Sequence, residues 1–379
     1  MERPIRDRAN RGRAHAPQRA VWVLAAVAVV AACAGGDDAA TTSSSERSVA
    51  TSATESDTTA TTTATTAPPA TSSPSTATAA PVDTTVAPTT EAPTSRVVAH
   101  ALGETEVPAA AERIVVTSAG TLLPTLQTLG VSVIGAPLPD EPIPTDLLTE
   151  ADLAGIEPVG FPEVSLERVA ALDPDVIIGF DTSLEETYDE YSQIAPTIAI
   201  ESDLNDWRGT AERIAAAVGA NDEMAAQLDA YDARVAEVQD RFADRLDDEV
   251  SIVRALGDQI RLHTEFHFAG QVLDDIGFAR PALQQTDDPS ERFIQVSLEQ
   301  LELADADIVF VFGAGSVGSA GEGIDDSVQA IVDSPLYPTL RIASTGGITV
   351  VDPLAWQQGG LPAALFILDD VEETLLAAS

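Results

Sequence analysis

One segment pattern occurs twice in the chain and limits the folds open to it. Residues 164–179 read VSLERVAALDPDVIIG, and residues 296–311 read VSLEQLELADADIVFV. In each copy, a serine that can cap a helix precedes apolar residues at helical spacing, and an Asp-X-Asp turn leads into a β-branched run. A helix-then-strand unit that occurs twice predicts two lobes of similar structure.

Strand-like and helix-like segments alternate on both sides of one long helical segment. The segment from Asn221 to Leu246 contains no Gly or Pro and carries apolar residues near helical spacing, so it predicts one helix. Alternating β-branched runs and helical patterns predict parallel sheets covered by helices. The predicted fold class is α/β, with two Rossmann-like lobes, residues 96–220 and 248–379, joined by one long helix over residues 221–247. The predicted strands are Ile114–Thr117, Val131–Ile134, Val176–Phe180, Thr197–Ile200, Val250–Ala255, Ile260–Thr264, Ile308–Phe312 and Ile348–Val351.

The N-terminal residues have the features of a lipoprotein leader. Arginines precede an apolar run from Ala20 to Ala32 that is too short to span a bilayer comfortably. The run leads into Cys33, and the sequence VAAC resembles the bacterial lipobox, so we predict a signal peptide over residues 1–33 and a lipid on Cys33. An ordinary signal peptide or a signal anchor is the alternative. Residues 34–95, rich in Thr, Ser, Pro and Ala, predict a disordered tether.

The charge of the chain excludes one broad class of partner. It has 61 acidic residues against 20 arginines and no lysine, which gives a net charge of -41. Such a surface repels phosphate backbones, so we expect no nucleic-acid binding. The single cysteine also excludes an intrachain disulfide.

The expected position of a ligand follows from the predicted sheets. Open α/β sheets bind ligands beyond the carboxyl ends of their strands. Aromatic residues are scarce in this chain, yet the loops that begin there hold Phe180, Trp207, Phe266, Phe268 and Trp356, and aromatic groups in a cleft suit a small organic ligand. The alternative is that some of these aromatic rings fill the interface between the lobes. The candidate cleft residues are Thr121, Phe180, Thr182, Trp207, Phe266, His267, Phe268 and Trp356.

Two other patterns suggest chemistry that the surrounding sequence does not favour. Gly313 to Gly318 reads G-x-G-x-x-G after a predicted strand, but the helical pattern begins only near Asp325, too late for a dinucleotide site. His263 and His267 follow a strand and do not form H-E-x-x-H, so a metal site is an alternative and not the prediction. We therefore predict no catalytic residues and no metal site. A surface nucleotide-binding enzyme and a metal-ion receptor remain the alternative functions.

The whole folded part resembles one family of transport proteins. Leader, tether, two α/β lobes and a connecting helix are similar to the substrate-binding lipoproteins of bacterial ABC importers, in the class with a rigid helical linker that serves ferric siderophores, haem and cobalamin. The resemblance rests on short phrases in order along the chain: ERIVVT from Glu112, VIGA from Val133, LDPDVIIG from Leu172, IAPT from Ile194, DW at Asp206, GQVLDDIG from Gly270, VSLE from Val296, and Trp356.

The resemblance implies a function, a location and partners. It implies the class III periplasmic-binding-protein fold and a monomer with no enzymatic activity and no covalent cofactor. A lipid would hold it on the outer face of the cytoplasmic membrane, where it would pass a ferric siderophore to an ABC permease dimer with its ATPase. Haem, cobalamin or a metal ion is the alternative ligand. Arg261, Arg280, Arg292 and Arg341 are available to anionic siderophores, although the sequence does not place them in the cleft.

The resemblance also gives a role to the glutamate of each repeated segment. In the family, each lobe exposes a glutamate at the position of Glu167 or Glu299, and the pair docks onto arginines of the two permease subunits. The alternative from the residues alone is that an acidic side chain in the first turn stabilises the helix dipole. We predict that both residues dock onto the permease.

Overall fold

The computed structural model describes residues 6–7, 94–140, 145–313 and 326–377. Apart from residues 6–7, the leader lies outside the described residues, and so do Cys33, almost all of the tether and the glycine-rich segment after Gly313. A short strand β1, Arg6–Asp7, pairs in parallel with the edge of the second-lobe sheet, although it lies within the predicted signal peptide.

The first lobe is a parallel sheet of five strands flanked by helices. Its spatial strand order is β6-β5-β4-β7-β8, so the direction in which successive strands are added reverses at β4. The strands are β4 Ile114–Val116, β5 Val133–Ala136, β6 Glu157–Pro158, β7 Val176–Phe180 and β8 Thr197–Ile200. The helices are α1 Leu122–Thr128, α2 Glu150–Leu153, α3 Leu166–Ala171, α4 Asp181–Leu184, α5 Tyr188–Ser192 and α6 Trp207–Val218.

An antiparallel hairpin that the sequence pattern did not reveal precedes this sheet. Its strands are β2 Ser95–His100 and β3 Gly103–Pro108. The Thr105 hydroxyl donates to the carbonyl of Thr197 on β8, and Tyr188 shares that acceptor. The hairpin is therefore fixed to the edge of the first lobe, and the folded part begins at or before Ser95.

The predicted connecting helix is present as α7, Asn221–Arg241. It ends before residue 247, because Phe242 turns into the core and the chain continues in hydrogen-bonded turns. The apolar residues that predicted it are all buried: Met224, Leu228, Tyr231, Val235, Val238 and Phe242.

The second lobe has a mixed sheet, whereas the sequence pattern predicted a parallel one. Beyond β1 its order is β13-β12-β9-β10-β11, and both β10 and β11 run antiparallel to their neighbours. The two-residue turn between β9 and β10 forces this reversal, since parallel neighbours need a long crossover. The strands are β9 Val250–Leu256, β10 Gln259–His263, β11 Phe293–Ser297, β12 Ile308–Phe312 and β13 Thr349–Val350.

Helices cover this sheet, and the last of them reaches the first lobe. The helices are α8 Phe268–Ile276, α9 Asp326–Asp333, α10 Arg341–Thr345, α11 Pro353–Gln358 and α12 Leu361–Ala377, with 3-10 turns at Ala282–Gln284, Leu298–Ala304 and Tyr337–Thr339. Helix α12 packs on α7 and α8, and also on α1 and α6 of the first lobe. One apolar core is therefore shared by α6, α7, α8, α12 and the sheet.

The repeated segment has the same structural role in both lobes. Asp175 Oδ2 accepts the backbone N–H groups of Glu112 and Arg113, just before β4, at 3.0 Å each. Asp307 Oδ2 accepts the N–H of Glu249, just before β9, also at 3.0 Å. The second aspartate of each copy thus holds the first strand of its sheet. The helices differ, because the second copy forms a kinked 3-10 helix.

Among the described residues, no helix combines the length and apolar character needed to cross a membrane.

Candidate ligand-binding cleft

Hydrogen bonds join the two lobes at both sides of the predicted cleft. The Thr121 hydroxyl, just before α1, donates to the carbonyl of Gln358 after α11. On the other side, Arg292 Nη1 donates to the carbonyl of Leu204 at 2.6 Å, and Gln271 Nε2 donates to the same oxygen at 2.9 Å. The lobes therefore face each other through the loops at the carboxyl ends of the first-lobe strands, where the sequence predicted the cleft.

The first-lobe wall of the cleft lies at the point where the strand order reverses. Parallel sheets bind ligands at such a switch point, between the loops that follow the two diverging strands. Here the diverging strands are β4 and β7: Thr121 lies in the loop after β4, Phe180 ends β7, and Thr182 lies in α4 directly after it. Thr121 is buried in its interlobe bond, Phe180 is half-buried and Thr182 is exposed. Phe180 and Thr182 remain candidate ligand contacts.

The structure corrects the expectation that three of the aromatic residues line an open cleft. Trp356 is 0% exposed, stacks on Phe310 with ring centroids 4.6 Å apart, and donates Nε1–H to buried Asp370 at 2.8 Å. Trp207 and Phe268 are also buried and pack edge to face with centroids 6.0 Å apart. These rings fill the shared core between the lobes, which was the alternative left open by the sequence.

The second-lobe wall carries a pair of arginines that the strand register places side by side. Arg254 on β9 lies directly opposite Arg261 on β10, so both side chains project from the same face of the sheet. Like charges in directly opposite positions destabilise a sheet. Arg261 stacks over Phe293, 4.2 Å from its centroid, and Phe293 is 40% exposed. Arg254 was not a candidate from the sequence, because only the strand register shows that it lies beside Arg261.

The loop between β10 and α8 is held against the sheet by backbone contacts. Thr264 N–H donates to the carbonyl of Arg292 at 3.1 Å, and its hydroxyl donates to that of Glu291 at 2.6 Å. A Cβ on Gly270 would lie 2.1 Å from the carbonyl oxygen of Thr264, so only glycine lets α8 approach this loop. Phe266 in the loop is half-buried and remains a candidate ligand contact.

Two histidines pack together beneath the arginines. The rings of His263 and His267 have centroids 3.8 Å apart, and His263 also stacks on Phe312 at 5.6 Å. They are 3% and 7% exposed, respectively. Both ring nitrogens of His263 and Nδ1 of His267 have no hydrogen-bond partner within the described part of the chain.

The electrostatics of this wall are strongly positive. Burial, reinforced by Arg254, Arg280, Arg261 and Arg292, lowers the pKa of His263 to about 3. Burial and the same surroundings hold the pKa of His267 well below its ordinary value. Burial lowers the pKa of Arg280 to about 10, although Glu265 and Asp274 oppose the shift. The histidines are therefore neutral at physiological pH, and the arginines carry the charge.

These arginines differ from most of the other arginines in residues 94–140, 145–313 and 326–377 in having no carboxylate partner. Ion pairs, each within 4.0 Å of an Asp or Glu, hold Arg168, Arg208, Arg213, Arg234, Arg241, Arg245 and Arg341. Within the described ranges, no such pair forms at Arg254, Arg261, Arg280 or Arg292, which we call the arginine cluster. In a chain with 61 acidic residues, the arginine cluster is a concentration of unneutralised positive charge.

The rival sites gain no support from the described residues. Residues 6–7, 94–140, 145–313 and 326–377 contain no group of three His, Cys, Asp or Glu side chains arranged to hold a metal ion. The G-x-G-x-x-G segment lies outside the described residues beyond Gly313.

Arg341, one of the arginines that the sequence made available to an anionic siderophore, pairs instead with Glu249, Asp305 and Asp307.

The two glutamates of the repeated segments are exposed. Glu167 lies in the first turn of α3, which Ser165 caps. Glu299 lies in the first turn of the 3-10 helix Leu298–Ala304. A hydrogen bond from Ser297, and one from the backbone N–H of Glu299, lower the pKa of Glu299. Both carboxylates are therefore available to a partner, and docking remains a prediction.

Comparison with known sequences places the chain among binding proteins. The family model described as periplasmic binding protein matches residues 144–353. A probable siderophore-binding lipoprotein of Bacillus subtilis (strain 168), YfiY, is 32% identical over 290 residues, which cover 74% of this chain and 88% of the relative. The petrobactin-binding protein YclQ of the same organism is 28% identical over 277 residues, or 72% and 84% of the two chains.

Comparison with solved structures confirms the predicted fold. The crystal structure of Staphylococcus aureus SirA complexed with staphyloferrin B superposes with a TM-score of 0.62 at 26% identity. The match covers 74% of this chain and 98% of that one.

Proposed function

Because the chain belongs to the periplasmic binding protein family, we propose that it captures a ferric siderophore between its lobes and delivers it to a membrane permease. Similarity to a probable siderophore-binding lipoprotein and to a petrobactin-binding protein supports this ligand class. The proposed role needs no covalent step, since capture and release depend only on binding.

The arginine cluster is the observation that carries the proposal. All four of its members act electrostatically on His263, and Arg292 also reaches the first lobe. Arg254 and Arg261 repel each other, and burial deprives Arg254 and Arg280 of water. An anionic ligand would offset both the repulsion between Arg254 and Arg261 and the cost of burying Arg254 and Arg280, because its oxygen atoms take the place of carboxylate partners. The site thus fits a ferric chelate with negative charge better than a neutral corrinoid.

The apolar groups beside the arginine cluster suit an organic ligand. Phe293 and Leu204 are 40% and 62% exposed and lie next to Arg261 and Arg292, respectively. Guanidinium groups bind oxygen anions in a planar, bidentate manner, and neighbouring apolar surface binds the hydrocarbon of a chelator. We propose that Phe180, Thr182 and Phe266 complete the cleft.

The remaining parts of the proposal concern the membrane. A lipid on Cys33 would anchor the protein to the outer face of the cytoplasmic membrane, and the tether would leave the folded part free to reach a permease dimer. Glu167 and Glu299 would dock onto that dimer, one from each lobe. Exposure of both carboxylates supports this assignment.

A titration of the purified protein tests the ligand class. Tryptophan fluorescence is followed while ferric hydroxamate, ferric catecholate, ferric carboxylate chelates, haem and cobalamin are added in turn. We expect an anionic ferric chelate to bind tightest. Arg254→Gln and Arg261→Gln should each weaken it about 10- to 100-fold, since a hydrogen bond to a charged group contributes about 1.5 to 3 kcal/mol.

The matched control is Arg341→Gln, which removes the same charge from the same lobe. Because Arg341 already pairs with three carboxylates, its loss should leave the affinity unchanged. Tight binding of haem or cobalamin, with no response to ferric siderophores, would contradict the proposal. Equal losses in all three variants would show that net charge matters and not the arginine cluster.

A further inference from the structure

The second lobe contains a set of buried polar atoms that its own residues leave unsatisfied. Within the described ranges, no hydrogen-bond partner exists for Nδ1 and Nε2 of His263, Nδ1 of His267, Nε and Nη1 of Arg280, or Nε of Arg254. Oε2 of Glu265 is also without one, while its Oε1 accepts the N–H of Thr286 at 2.9 Å. Such groups are rare in folded proteins, and each costs free energy unless something satisfies it.

These atoms belong to one place in the fold. His263 and His267 are in ring contact, and Arg280 Nη2 donates to the carbonyl oxygen of His263 at 2.5 Å. Arg254 acts electrostatically on both histidines. We call His263, His267, Arg280 and Arg254 the buried donor set.

Internal partners account for only part of this set. The Nη2 atom of Arg280 also donates to Gln284 Oε1 at 2.9 Å, and Gln284 in turn donates to Ser251 at 2.6 Å. Those bonds fix Arg280 from one side and leave its Nε and Nη1 free. A purely structural arginine would have its donors satisfied by protein groups, so the free Nε–H and Nη1–H groups of Arg280 point to a ligand that accepts single hydrogen bonds.

The chemistry of the free atoms specifies the ligand group. Guanidinium N–H groups are donors only, and a neutral imidazole offers one donor. A carboxylate is an acceptor only, with two oxygen atoms and about four lone pairs, so it can accept one N–H group from each of several donors. A hydroxamate or catecholate oxygen that is bound to iron has one lone pair committed to the metal and therefore offers fewer acceptor sites than an uncoordinated carboxylate.

We propose that the buried donor set is a subsite for an uncoordinated carboxylate of the ferric chelate. The protein would therefore prefer siderophores that keep a free carboxylate over those whose anionic groups all bind iron. This inference rests on the proposed function and deepens it. Entry requires rotation of the half-buried side chains of Arg261 and Arg292, which are long and flexible.

A pair of ligands that differ at one group tests the subsite. The probes are a ferric chelate with one uncoordinated carboxylate and the methyl ester of the same chelate. For the wild-type protein, we expect the ester to bind about 10- to 100-fold more weakly, since it loses charge-assisted hydrogen bonds. In the His263→Phe and His267→Phe variants, this ratio should fall below about 3-fold, because ring packing is kept while the nitrogens are removed.

A control variant separates the subsite from histidine loss in general. His100→Phe removes a histidine from the first lobe, where it bonds Thr105 at 2.9 Å, and it should keep the wild-type ratio. Circular dichroism shows which variants are folded. If either phenylalanine variant does not fold, the corresponding glutamine variant is measured, and it should lower the ratio by a smaller amount.

The outcomes distinguish the subsite from the proposed function. Equal affinity of the acid and ester for the wild-type protein would overturn the subsite and leave ferric-siderophore capture intact. An unchanged ratio in the histidine variants would also overturn it. If no ferric chelate of any class binds to the wild-type protein, the proposed function fails, and the subsite fails with it.

Discussion

Acid should destabilise the ligand-free protein through its buried histidines. Burial and the surrounding arginines lower the pKa of His263 from 6.5 to about 3. Between these values, the unfolded chain binds a proton that the folded chain does not, so stability is complete above pH 6.5 and falls as the pH decreases towards 3. His267, whose pKa is also held well below its ordinary value, acts in the same direction.

The size of the effect follows from the pKa of His263 alone. Between pH 6 and pH 4, this residue should remove about 2 to 3 kcal/mol from the free energy of unfolding, on the linkage relation for one group with pKa values of 6.5 and about 3. Such a loss is a large fraction of the stability of an ordinary domain. The effect of His267 adds to it.

The assay compares urea unfolding of the wild-type protein and the His263→Gln variant at pH 6, 5 and 4. Glutamine keeps hydrogen-bonding capacity and carries no titratable group. The substitution also changes the stability by an amount that does not depend on pH. The quantity to compare is therefore the decrease in the free energy of unfolding between pH 6 and pH 4. We expect this loss to be smaller in the variant by about 2 to 3 kcal/mol. Equal losses in both proteins would refute the assignment of His263 as a buried neutral imidazole.

Three further predictions concern the core, the permease and the membrane. Trp356→Phe should cost about 2 to 4 kcal/mol of stability, through a cavity and a lost hydrogen bond to Asp370, without changing ligand affinity. Denaturation and ligand titration of the same variant test this, and a lower affinity with unchanged stability would contradict it. Glu167→Ala with Glu299→Ala should abolish iron uptake while melting temperature and ligand affinity stay at wild-type values, and normal uptake would exclude docking by this pair. Cys33→Ser should move the protein from the membrane fraction to the soluble fraction, and retention in the membrane would exclude the lipid anchor.

The secondary structure was predictable where a short apolar run between turns fits a buried strand and no other element. The strands Val176–Phe180, Thr197–Ile200 and Ile308–Phe312 have the bounds that the sequence predicted, since each is a short β-branched or aromatic run between turns. Strand direction was not predictable in the second lobe, because apolar periodicity is the same for parallel and antiparallel strands. The hairpin β2–β3 was missed, since polar residues interrupt its apolar pattern.

The candidate site was less predictable because it depends on strand register. Scarce aromatic residues near the cleft suggested ligand contacts, but the sequence does not show that Trp207 and Trp356 turn towards the shared core. The arginine cluster needs Arg254 and Arg261 on opposite positions of a hairpin, with Arg292 brought in by the next strand. A charged residue at the fifth position of an otherwise apolar strand was the available signal for Arg254.

The position of the last helix has a consequence for the biosynthesis of the protein. Helix α12, Leu361–Ala377, supplies buried side chains to the shared core and packs on helices from both ends of the fold, including α1. A nascent chain cannot complete that core until Leu361–Ala377 has left the ribosome, because contacts between distant segments form only when both are present. The residues made before α12 therefore lack part of their core contacts throughout their synthesis, and the shared core closes only once this helix is available.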